Sequence, residues 1–135
     1  MTNPIALYVM TMVIFAAFDA FWLTFVSAPQ FKLALGDTMR SDTNWIAAVL
    51  FYLMFMGLLV WFAIFPGLTA GSSLSLVALQ GALVGLAGYG TYQLTNMATL
   101  SAWKWKLVVL DAGWGVALSG FVAALVVWIV RTVTA

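Results

Sequence analysis

Four long apolar stretches divide the chain, at residues 5–26, 45–65, 74–98 and 107–130. Each is near the ~20 residues that a helix needs to cross a bilayer. Strict apolar–polar alternation is absent, so the pattern argues against a β-barrel and for helices, which satisfy their own backbone in lipid. Pro4 stands where a first helical turn tolerates proline. Pro66-Gly67 is expected to stop the second helix at Phe65. The expected fold is all-α, an integral membrane bundle of four transmembrane helices forming a single domain over residues 1–135.

Composition sharpens this. The chain is 65% hydrophobic and 7% charged, against about 25% charged residues in soluble domains. Water cannot solvate such a surface, so membrane lipids are the expected first partners. The net charge of +1 comes without a basic run, so no nucleic-acid partner is expected. Cysteine, histidine and glutamate are absent, and the carboxylate side chains are Asp19, Asp37, Asp42 and Asp111. That removes thiolate chemistry and the common haem, zinc and iron–sulfur ligands, so neither a metal nor a cofactor is expected. The first stretch is expected to be a retained helix rather than a cleaved signal: no Lys or Arg precedes it, it is long, and Asp19 interrupts it.

The links set the topology. Residues 66–73 form a tight turn, residues 99–106 a short link, and residues 27–44 the longest connection. That connection carries Phe31, Lys32, Leu33, Leu35 and Met39, and is expected to lie partly in the headgroup layer as a short amphipathic piece. Lys32, Arg40, Lys104 and Lys106 share one membrane face, and Arg131 marks the other. The excess of Lys and Arg puts the two loops in the cytoplasm and both termini on the non-cytoplasmic side.

Polar residues converge near the basic loops. Asp19 is placed roughly 10 Å and Asp111 roughly 7 Å below that face, at a rise of 1.5 Å per residue. Gly85, Tyr89, Tyr92, Gln93 and Asn96 fall on one side of the third helix by their spacing, and Gly81 and Gly88 continue that side. These glycines, with Gly115 on the fourth helix, permit close helix approach. Trp22 and Trp114 are placed for the same cluster. Asp19-Ala20-Phe21-Trp22 and Asp111-Ala112-Gly113-Trp114 share an Asp-Ala-x-Trp pattern, on helices that would form an inverted pair. The candidate ligand-binding set is therefore Asp19, Trp22, Tyr89, Tyr92, Gln93, Asn96, Asp111 and Trp114. The two acids fit three roles: pinning the bundle by hydrogen bonds, binding a ligand or ion, or acid–base chemistry if a shared site raises one pKa.

Tyr92-Gln93-Leu94-Thr95-Asn96-Met97-Ala98-Thr99-Leu100, followed by Asp111-Ala112-Gly113-Trp114-Gly115, resembles the signature of a bacterial family of predicted membrane proteins, domain of unknown function 2177. Asp19-Ala20-Phe21-Trp22-Leu23 is similar to that family's start, and Ala47-Ala48 with Phe51-Tyr52 to its second helix. Ser101-Ala102-Trp103-Lys104 departs from the Gly-Trp-Pro-like link expected there. The resemblance implies a four-helix protein of the bacterial inner membrane and assigns no activity. Three function classes follow from the residues. The first is binding or transport of a small or lipidic ligand at the polar cluster, transport requiring a homo-oligomer because four helices are few for a carrier. The second is an accessory subunit of a larger membrane complex. The third, a lipid-modifying enzyme, lacks a recognisable nucleophile motif, and no catalytic residue is assigned.

Overall fold

The computed structural model describes residues 3–135. The chain forms four long helical stretches: α1 (Pro4–Thr38), α2 (Trp45–Ala70), α3 (Leu74–Thr99) and α4 (Trp105–Thr134). No strand occurs among the described residues. All four helices are long and apolar enough to cross a membrane, and the outward side chains are what lipid requires. Val9, Val13, Phe21, Val49, Trp61 and Phe121, among others, stay exposed. Exposed Trp45 and Trp105 ring one end, and Trp61 and Trp128 lie toward the other, as interface anchors do.

Three of the four helix starts are capped by short polar side chains. Asn3 Oδ1 accepts from the N–H groups of Ile5 (2.9 Å) and Ala6 (3.4 Å). Asn44 Oδ1 accepts from Ala47 N–H (3.2 Å), and Ser73 Oγ from Leu76 N–H (3.1 Å). Each satisfies an N–H that the first turn leaves unpaired.

Two helix ends differ from expectation, and in both a π-helical turn carries the helix past a proline. α2 does not stop before Pro66-Gly67 but runs on to Ala70. A proline ring clashes with the carbonyl four residues back. That carbonyl belongs to Phe62, inside a π-helical turn at Val60–Ile64 that opens the ladder there. The helix ends instead at Gly71, whose φ of +65° is the left-handed conformation that glycine adopts freely. α1 likewise does not end near residue 26. A π-helical turn at Leu23–Ser27 admits Pro29, and the helix continues through Ala28–Leu35. Phe31, Ala34 and Leu35 on this extension pack against Trp103, Leu107 and Val108.

The core lies between the helices. α3 and α4 make the most extensive contact, and glycine lets their backbones meet. A Cβ at Gly81 would lie 2.7 Å from the Ser119 carbonyl oxygen, and one at Gly120 2.8 Å from that of Ala78. At the far end, Arg131 Nη2 donates to the carbonyls of Gly67 (3.1 Å) and Ser72 (2.7 Å), closing the α2–α3 turn. Asn3 and Thr134 line one hollow there, so the start of α1 meets the end of α4 and the two helices run antiparallel.

Candidate functional site

On α1, Leu7, Thr11, Phe15 and Asp19 recur every four residues, and all are buried. This stripe carries a carboxylate into the bundle at 3% exposure. Two neutral donors hold it. Trp114 Nε1 on α4 donates to Asp19 Oδ1 at 2.9 Å, and the Tyr52 hydroxyl on α2 donates to Asp19 Oδ2. Phe15 and Phe51 pack edge-on around the Tyr52 ring, which fixes its aim.

Asp111 sits in a second, adjoining group. It is half-buried on α4. Gln93 Nε2 donates to its Oδ2 at 2.6 Å, and Gln93 Oε1 accepts from Trp103 Nε1 at 2.9 Å. Gln93 is wholly buried, so one amide joins α3, the α3–α4 link and α4. Among the described residues no hydrogen bond reaches Asp111 Oδ1. The ion pair found among them, Arg40–Asp42, is exposed and lies elsewhere. Neither intramembrane carboxylate therefore has a cationic partner among the described residues.

Tyr52, Gln93 and Asp111 lie six or seven residues from the ends of their helices, roughly 9–10 Å below the loop face at 1.5 Å per residue. Asp19 on α1 reaches the same level through Tyr52. The polar atoms of four helices thus share one layer near one end.

The remaining candidate residues divide. Trp22 stacks on Trp114, with ring centroids 4.4 Å apart and planes 2° from parallel. Its Nε1 is buried and unpaired among the described residues. Tyr89 is buried against Phe51 and Phe55 and lies on Gly115, where a Cβ would overlap its ring. Asn96 is half-buried. Tyr92 does not join the buried side: it is 53% exposed and meets Trp103 edge-on. The glycines also divide. Gly81 and Gly85 face α4, whereas Gly88 faces Phe55 on α2.

The cause is a third π-helical turn, Leu86–Gly90. A step of four residues overshoots a full α-helical turn by roughly 40°. The wider π turn absorbs this drift, so Val77, Gly81, Gly85, Tyr89 and Gln93 keep one buried line. Positions 88 and 92 rotate off it.

Two contributors, Tyr52 and Trp103, lie outside the candidate ligand-binding set and enter the sequence analysis only through the family resemblance. Tyr52 sits seven residues into α2, at the depth where Asp19 needed a donor, and that depth match is the signal available beforehand. Trp103 offers no comparable signal, because its ring turns inward only once the link is folded.

An all-helical chain with four candidate spans and a layer of buried hydrogen-bonding side chains defines a small polytopic membrane protein. More particularly, it belongs to the family of predicted membrane proteins known as domain of unknown function 2177, whose model matches residues 4–128. No curated protein and no solved structure matches the chain.

Proposed function

We propose that this protein binds a small or lipidic ligand at the polar layer, through a group that donates hydrogen bonds or carries positive charge. The observation that carries this reading is the state of Asp111. One of its oxygens is held by Gln93; the other accepts nothing among the described residues, and no cation stands beside it. A carboxylate within a span costs roughly 2.5–3.5 kcal/mol at the bilayer centre on insertion scales, less toward the interface. A ligand ammonium or hydroxyl at Oδ1 offsets that cost. Asp111 is half-buried, which supports the approach of a ligand from outside the bundle.

The loop face carries Lys32, Arg40, Lys104 and Lys106, which supports a cytoplasmic placement for it. The ligand then sits in the cytoplasmic leaflet of a bacterial inner membrane, with both termini opposite. Passage of the ligand across the membrane calls for a homo-oligomer or a larger membrane complex, since the interior away from the polar layer is packed shut by aliphatic and aromatic side chains with only isolated small polar ones such as Thr11 and Ser119 among them.

Native mass spectrometry of the protein extracted with its own lipids tests the binding. Wild type is expected to retain an adduct that Asp111→Asn loses, with helical content and thermal midpoint kept. A wild-type protein free of adduct, or the same adduct on Asp111→Asn, overturns the reading.

A further inference from the structure

The Asp-Ala-x-Trp echo acquires a geometric meaning in the bundle. α1 and α4 are antiparallel neighbours in contact along their length: Phe18 meets Phe121 edge-on at 5.6 Å, and Trp22 stacks on Trp114. In an antiparallel pair, the register that sets Trp114 beside Asp19 also sets Trp22 at the level of Asp111. The parallel indoles mark a local two-fold relation between the two motifs.

That relation is half satisfied. Asp19 accepts from an indole on the opposite helix, Trp114, and from a second side chain, Tyr52 on α2. Asp111 accepts from a second side chain, Gln93 on α3, but not from the opposite indole. The two groups left over are the counterparts of the bond already made. Trp22 Nε1 is buried where water cannot reach it and has no partner among the described residues, and Asp111 Oδ1 has none among them either. A buried donor without an acceptor is costly. Among the described residues the other acidic side chains are Asp19, already held, Asp37 at the end of α1 and Asp42 in the α1–α2 connection.

We infer that Asp111 has a second resting position, in which it accepts from Trp22 Nε1 and completes the two-fold arrangement. Asp19 is the fixed half of the pair, held by two donors and almost fully buried. Asp111 is the movable half, held by one donor and half-buried. Its departure frees Gln93 Nε2, while Gln93 Oε1 keeps its bond from Trp103 in the α3–α4 link. In terms of the proposed function, on which this use of the motion rests, the move trades the Asp111 oxygen offered to a ligand for a bond from Trp22, and so switches the site. The motion itself is testable without ligand.

Indole resonances of 15N-tryptophan-labelled protein in detergent, assigned by single Trp→Phe variants, report each indole's hydrogen bonding. Gln93→Met removes the present partner of Asp111 while keeping side-chain length. The expected result is a downfield shift of the Trp22 N–H with Trp114 unmoved, abolished when Asp111→Ala is added. A Trp22 signal that stays in place, or that shifts equally without the carboxylate, overturns the inference. Should Gln93→Met not fold, relaxation dispersion of the wild-type Trp22 N–H decides: exchange that disappears in Asp111→Ala supports the second position, and a flat profile overturns it. A shift of Trp22 in a protein that carries no adduct leaves the switch standing and removes the ligand reading, so the two fail separately.

Discussion

Each intramembrane acid is held by different residues, and the difference sets what a substitution does. Asp19 is buried, so removing one donor leaves a carboxylate oxygen unpaired in a place water cannot enter. Tyr52→Phe and Trp114→Phe are each expected to lower stability by roughly 1.5–3 kcal/mol, the usual worth of hydrogen bonds to a charged group. Thermal unfolding in a fixed detergent checks this; a loss below about 0.5 kcal/mol for both would mean that Asp19 is not held as described. Trp22→Phe removes an N–H that makes no bond in this arrangement but trims a ring stacked on Trp114, and is expected to cost less than Trp114→Phe in the same assay. Asp19→Asn combined with Asp111→Asn is expected to be non-additive, since both acids belong to one packed layer joined through α4. Strict additivity would separate them into independent groups.

At the scale of the helix, the α3–α4 contact rests on missing side chains. A Cβ at Gly85 would overlap the Gly115 carbonyl oxygen and come within 2.7 Å of Ser119 Oγ. Gly85→Leu is therefore expected to cost more than about 2 kcal/mol through overpacking. Leu58→Ala, on a side chain 39% exposed toward lipid, should cost well under half as much. Equal effects in a thermal assay would contradict the packing. Helix number could be read in the sequence because apolar length adds along a chain, and the depth of Asp111 near the α3 end points toward Gln93. Helix phase could not. Pro66 reads as a stop and Tyr92 as inward because both readings assume an unbroken α ladder. Three π-helical turns change that ladder, and a π turn has no pattern of its own in a lipid-embedded sequence where nearly every position is apolar. Tyr52 was hidden for a related reason: in α2 an aromatic residue is the rule, and only its partner distinguishes it.

For the whole molecule, the basic loops and the polar layer lie at the same end. The proposed orientation puts that end in the cytoplasm, and the absence of cysteine makes it simple to check. In spheroplasts, Ser101→Cys, exposed in the α3–α4 link, should resist a membrane-impermeant thiol reagent and react after permeabilisation. Labelling without permeabilisation would invert the topology and move the site to the other leaflet. The end opposite the polar layer is closed by Arg131 on the α2–α3 turn. The asymmetry between a tightly tied end and an end with one open carboxylate is what the binding proposal draws on. The most direct test is a density map of the wild-type protein in discs of its own membrane lipids. The account predicts a non-protein feature within hydrogen-bonding distance of Asp111 Oδ1, absent from a matched map of Asp111→Asn. A cluster that is dry and closed in both maps, with every polar atom paired inside the protein, would contradict it.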